Sequence, residues 1–256
     1  MAKTASESQT PYRLLVLLGA FIFTVTFIVN APASFMRIGL DRIGNGFSYH
    51  SVEGSLWKGR VNGVRLGETS LGAIDFEWSP LSALSGTVSA KVSAKGGDGR
   101  GNGTIGIGLF SEDLTISDGT VLFDLGSIKR YTLYGLPYQG VIRAKIRKLK
   151  VSQEECIKAD LDLFTDAMTA SAVKLSGQPL DLVGNAQCKG KGLQILLNGQ
   201  SASGQVAIDA VIQPNLSYNM AATVKPERTD LQQALTLLGF ERDGSAYVFD
   251  LSLIHI

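Results

Sequence analysis

Histidine and cysteine are almost missing: the 256 residues hold two of each, His50, His255, Cys156 and Cys188. No serine stands in a G-x-S-x-G elbow and no H-E-x-x-H occurs, so the usual hydrolase and zinc-protease frameworks have no residues to be built from. The cysteine spacing fits no zinc pattern, and neither histidine has a metal-spaced neighbour. No catalytic, cofactor-binding or metal-binding residue can be nominated. Charge is also scarce, 18% against a usual ~25%. It is balanced to a net +1, which argues against a surface that tracks nucleic-acid phosphates.

Glycine is the residue in excess, with 29 copies against a usual ~7%, a mixture that fits short strands joined by tight turns. Residues 14–31, LLVLLGAFIFTVTFIVNA, carry no charge. At ~1.5 Å per residue they reach ~27 Å, close to a bilayer's hydrocarbon thickness. Lys3 and Arg13 precede them, so the positive-inside bias leaves residues 1–13 in the cytoplasm and sends the remainder across the inner membrane. A cleaved signal peptide competes through Ala31-Pro32-Ala33, but the apolar run is too long and proline disfavours cleavage. A buried core helix is the bland alternative.

Residues 32–46 read as a membrane-exit connector and residues 47–250 as the exported domain. Period-two alternation dominates there. Strands are expected at Gly72–Trp78, Val88–Ala94, Thr104–Phe110, Thr120–Leu125, Gln139–Val151, Ile157–Phe164, Val173–Val183 and Leu193–Leu197. Gln205–Gln213 and Leu216–Val224 should pair as a hairpin across Pro214-Asn215. One exported helix is expected, capped by Thr229 or Asp230, with Leu231, Ala234, Leu235 and Leu238 on one face and Gly239 as its stop; Pro80–Leu84 allows about one further turn. The fold class is mainly β: an N-terminal transmembrane helix, then a long antiparallel, twisted or curved sheet with one short C-terminal amphipathic helix. Gly96–Gly108 is the sole candidate linker.

Several constellations have bland readings. Gly101, Gly103 and Gly106 satisfy G-x-G-x-x-G, but strand alternation continues through them where a helix should begin. Arg143, Lys145 and Arg147 alternate with Ile142, Ala144 and Ile146; this is either a solvated face that blunts a sheet edge or a contact for an anionic partner. Asp160 and Asp162 share the outward face of a strand without a histidine nearby. An oxidising compartment would let Cys156 and Cys188 pair, two buried thiols being the competing reading.

The stretch Gly54-Ser55-Leu56-Trp57-Lys58-Gly59 is followed by Trp78-Ser79-Pro80, then Leu84 and Gly86. This G-[ST]-L-W-x-G turn and W-x-P-x-x-x-L-x-G corner, just after one N-terminal span, resemble the protein N family of bacterial type II secretion systems. The likeness extends to the C-terminal helix ending Leu238-Gly239-Phe240 and the turn at Gly244. It implies a non-enzymatic inner-membrane accessory component with a periplasmic β-rich domain, partnered by other secretion components and holding no cofactor. Gly54 and Gly59 are expected to bracket a tight turn in which Trp57 packs, with Trp78 ending a strand before Pro80. A second reading, from a similarity to AsmA-like envelope proteins, is a curved sheet whose apolar inner face binds or conducts lipid. Residues 251–256, LSLIHI, read as translated transposase-adapter DNA in place of the native end, so His255 carries no functional argument.

Overall fold

In the computed structural model the described residues are 10–253, apart from 42–43, 45, 81, 83–85, 112, 128–131, 134–135, 138 and 216. Helix α1 (Thr10–Val29) comes first. A 3-10 turn at Ala33–Met36 and the short α2 (Arg37–Leu40) follow it. The strands are β1 (Phe47–Ser48), β2 (Ser51–Gly54), β3 (Lys58–Leu66), β4 (Thr69–Ser79), β5 (Thr87–Lys95), β6 (Gly99–Gly108), β7 (Leu114–Asp124), β8 (Thr132–Leu133), β9 (Leu136–Pro137), β10 (Val141–Val151) and β11 (Cys156–Thr165). After α3 (Thr169–Ser176) come β12 (Leu182–Lys189), β13 (Gly192–Ser201), β14 (Gly204–Ile212) and β15 (Tyr218–Pro226). Then α4 (Thr229–Leu237), β16 (Glu241–Asp243) and β17 (Ala246–Leu253) close the described chain.

Fifteen strands form one antiparallel sheet in nearly sequential order, β1-β3-β4-β5-β6-β7-β10-β11-β12-β13-β14-β15-β17-β16, with β2 also on β3; β8 and β9 pair separately. Alternation puts one apolar face along its whole width. Ala94, Gly101, Val121, Ala144, Leu163, Gly184, Leu197, Ile208, Ala222 and Phe249 lie side by side from β5 to β17. The Pro214-Asn215 hairpin forms with Ile208 opposite Ala222 and Ala210 opposite Met220.

Among the described residues no second layer covers the middle of this face; residues 33–40 pack on its N-terminal end and Phe240 packs on Phe249 at the other. A compact monomer of 27.3 kDa would expose roughly 11,000 Å², whereas the chain exposes 16990 Å². Burial concentrates in two clusters: Ala33, Val52, Val61, Val64 and Phe76 at the N-terminal end, and Ile146, Leu161 and Ala186 in the middle. The sheet is also bent. Some Cα atoms of β4 come within 8 Å of β6, and of β11 within 8 Å of β13, although two flat ladder spacings are ~9.5 Å. The strands between carry small residues on the apolar face, Ala90 in β5 and Gly184 and Ala186 in β12; Ala90 and Ala186 are buried.

Four expectations are corrected. Residues 169–176 are helical, not the start of a strand at Val173: TASAVKLS is rich in good helix formers, and Gly177 at φ +75 caps the turn by donating its N–H to the Val173 carbonyl. The chain beyond residue 46 therefore has more than one helix. Gly96–Gly108 is no linker, because β6 occupies Gly99–Gly108 inside the sheet. A Cβ at Gly101 would lie 2.4 Å from the Thr120 carbonyl oxygen, so glycine there allows the strands to approach. The cap of α4 is Arg228, in extended backbone, rather than Thr229 or Asp230. Ser79 ends β4 just before Pro80; most of the turn expected at Pro80–Leu84 lies outside the described residues, as do Leu216 and His255.

Within α1 the described side chains run unbroken over residues 14–27, roughly 21 Å of helix at ~1.5 Å per residue. On the described residues alone, no helix is long and apolar enough to cross a membrane.

Cys156 and Cys188 are joined as a disulfide across a sequence separation of 32. Closing a loop of that length in the unfolded chain is worth about 3–4 kcal/mol in the chain-entropy model. The Cys156→Ser/Cys188→Ser protein should lose about 2–4 kcal/mol in equilibrium urea unfolding of the detergent-solubilised chain; an unchanged midpoint would show that the crosslink contributes nothing.

Candidate functional site

The G-S-L-W-K-G stretch forms the turn between β2 and β3. Gly54 pairs with Gly59, the Ser55 N–H donates to the Lys58 carbonyl at 2.9 Å, and the Lys58 N–H donates to Ser55 Oγ at 3.1 Å. Both glycines are required by space. Gly54 has φ +96, and a Cβ on Gly59 would lie 2.4 Å from the Glu53 carbonyl oxygen and 2.7 Å from the Phe76 ring.

This turn receives the chain leaving α1. The Leu56 N–H donates to the Ala31 carbonyl at 2.8 Å, and Pro32 forms a β-bridge with Ser55. Ala33 is 1% exposed in the N-terminal cluster, where Met36 and Leu40 join it against Ile74, Trp78 and the buried valines. Trp57 is half-buried, and its carbonyl accepts the Trp78 N–H at 2.7 Å. The two tryptophan motifs thus meet, tied by backbone. Nothing in the sequence pattern pointed to the Ala31–Leu56 contact, which joins segments of unlike periodicity. Gly86, at φ +77, accepts the Leu109 N–H at 3.0 Å; Pro80 is exposed, and Leu84 lies outside the described residues.

The opposite face of the sheet carries the charge. Arg60 and Lys95 both pair with Asp75, and Lys58 pairs with Glu77 at 3.2 Å. Lys58, Arg60, Asp75 and Glu77 rim a cleft of about 610 Å³ over β3–β7, which also reaches Lys91, Asn102, Thr104 and Asp118. Hydrogen bonds from Arg60 and then Lys95 draw the Asp75 carboxyl down to about 2. Further along, Arg147 bridges Asp160 and Asp162, and hydrogen bonding to this one guanidinium lowers both carboxyls. A general acid/base pair needs its two values pushed apart. Here both acids are held ionised by the same cation, which fits a surface ion network.

The basic strand is β10, flanked by β7 and β11 on its two sides. The expectation that Arg143, Lys145 and Arg147 blunt an edge is therefore corrected. Lys145 stands opposite Asp162, and Arg143 lies over the Phe164 ring at 5.4 Å. β11 thus supplies two acids, both paired with Arg147, and the Phe164 ring beside these cations. The glycines Gly101, Gly103 and Gly106 lie within β6 rather than at a helix N-terminus. Among the described residues no three His, Cys, Asp or Glu side chains gather as a metal site.

These features define a class: a single open antiparallel sheet whose first hairpin clamps the tail of an apolar N-terminal helix. A family model described as type II secretion system (T2SS), protein N, matches residues 45–249, which span the sheet from its first hairpin to β17, and the chain belongs to that family. It is similar to the type II secretion system protein N of Vibrio cholerae serotype O1 (strain ATCC 39315 / El Tor Inaba N16961), 24% identical over 223 residues covering 82% of this chain and 84% of that protein. No solved structure matches. Membership gives a secretion-system accessory role, with other components of the apparatus as partners.

The Asp75 ion group sets a pH dependence. Its folded-state value lies below the ~3.9 of an unfolded aspartate, so the unfolded chain binds the proton more readily. The contribution is complete above about pH 4 and is lost as pH falls towards 2. Asp75→Asn should flatten the fall in urea midpoint between about pH 4.5 and 2.5 relative to the parent chain; parallel curves would refute the coupling.

Proposed function

We propose that the chain is a single-pass inner-membrane accessory component of a type II secretion system. Residues 1–13 lie in the cytoplasm, residues 14–31 cross the bilayer and the sheet is in the periplasm. It serves the export of folded proteins from the periplasm across the outer membrane by engaging other inner-membrane or periplasmic components, without chemistry of its own. Family membership carries the secretion role. The membrane placement is supported by α1, whose backbone runs 20 residues, or ~30 Å. Leu14, Leu15, Val16, Leu17 and Leu18 are consecutive and all more than half exposed. Five consecutive positions cover every side of a helix, and a helix apolar all round belongs in a core or in lipid. The sheet does not enclose it.

Arginine in place of both Leu18 and Ile22 costs about 2.5–3.5 kcal/mol of insertion per site, so that variant should leave the membrane fraction. In spheroplasts carrying the parent chain, external protease should digest everything beyond α1. Detergent extracts should yield the chain with other secretion components. A protected sheet, or a double-arginine chain still resistant to alkaline extraction, refutes the topology.

One observation favours a second reading, in which the sheet binds or conducts lipid: its apolar face is continuous, and among the described residues no second layer covers the middle of it. Stoichiometric phospholipid on the purified chain, with no secretion component alongside, would favour this groove over a protein-docking module. A lipid-free chain that retains its partners would reject it.

A further inference from the structure

The antiparallel order sorts every loop to one of two rims. The rim that receives α1 holds residues 55–57, 80, 82 and 86, then 109–111 and 113, then 152–155 and 190–191; α3 and α4 lie at the other, roughly 30 Å away at ~3.3 Å per residue along a nine-residue strand. Along the first rim, character changes with distance from α1. Next to it come Leu56 and Trp57, half-buried. Some three strand spacings on, about 15 Å, stand Leu109, half exposed, and Phe110, 92% exposed, flanked by the partly exposed Ile107 and Leu114. Beyond them the loops read Ser152-Gln153-Glu154-Glu155 and Gly190-Lys191.

The Phe110 loop is held in place. Leu109 donates to the Gly86 carbonyl at 3.0 Å, and the Gly108 N–H donates to the Asp113 carbonyl at 3.0 Å. A Cβ at Gly86 would lie 3.8 Å from the Phe110 ring, so the ring rests over the family-motif corner while presenting nearly all its surface outward. Asp113 is turned away into a pair with Lys150 at 2.8 Å. An aromatic ring fixed in that exposure beside an apolar anchor suits the bilayer interface, where amphipathic rims settle at headgroup depth.

We propose that the rim at Leu109 and Phe110 is a second membrane contact, seated in the lipid of the leaflet from which α1 emerges, so that the sheet stands on the bilayer at two points. The proposal rests on α1 spanning the membrane. Two contacts about 15 Å apart would stop the sheet from swivelling about the exit segment and would fix which way its apolar face opens.

The test uses the full chain in native inner-membrane vesicles, with p-benzoylphenylalanine placed at Phe110 or at Leu237. Leu237 is comparably exposed, at 87%, but sits on α4 at the opposite rim. Illumination should give phospholipid adducts from position 110 and none above background from position 237, read by mass spectrometry of the isolated peptides. No lipid adduct at 110, adducts only to protein there, or equal lipid adducts at both sites would overturn the proposal while the chain still resists alkaline extraction. Loss of the chain from the extracted membranes would instead overturn the anchor reading and this inference with it.

Discussion

Everything else in the molecule follows from a sheet built in chain order. Nearly every strand hydrogen-bonds to the strand before it and the strand after it. Backbone polarity is therefore satisfied one hairpin at a time, without a crossover to bring a second layer onto the face. The apolar side chains on that face are left to pack against their own sheet neighbours. Bending helps them do so, and it occurs where β5 and β12 present alanine or glycine. Such a structure approximates a one-dimensional array, with stability summed over neighbours. The ends of the array are managed by brevity: β1 has two residues and β16 three, all of them exposed in the acidic and basic run Glu241-Arg242-Asp243, which discourages another strand from adding on.

The same order explains the polar face. Alternation sends lysine, arginine, aspartate and glutamate to one side, and antiparallel register then sets cations of one strand against acids of the next, as with Arg60 and Asp75 or Lys145 and Asp162. Exposed pairs of this kind contribute little individually. Their effect is on chemistry: the paired acids stay ionised.

Much of this was legible in the sequence, and what was not has identifiable causes. Period-two alternation located β4, β5, β10, β11, β14 and β15 to within a few residues, and the Pro-Asn turn fixed a hairpin. It failed at Thr169–Ser176, where Val173 and Leu175 mimic a strand while Ala170, Ala172 and the Gly177 cap decide for helix. At β6 it gave the strand only from Thr104, because the glycines before it read as looseness although close strand approach demands them. The paired tryptophan motifs adjoin through the Trp78 N–H and the Trp57 carbonyl. Their joining to Ala31 was invisible, because a hydrogen bond between a helix tail and a distant turn leaves no periodic trace. Likewise, the alternation in β10 gave its charges correctly but could not say that β7 and β11 enclose it.

The turn at Gly54–Gly59 is where these strands of argument meet. Only one residue, Asn30, separates the last residue of α1 from Ala31, whose carbonyl is held by Leu56; Pro32 is bridged at the next position and Ala33 is buried immediately after. A linker of one residue has almost no conformational freedom to give, so the hairpin inherits whatever position the helix takes. The glycines at the turn then have a role beyond their own φ angles. Gly59 lets Phe76 close beneath the turn, Phe76 completes the cluster that buries Ala33, and the cluster fixes the exit path. The apolar helix and the family-defining sheet are in this way mechanically one object, and forces felt by either are transmitted through a contact of a few residues rather than lost in a flexible tether.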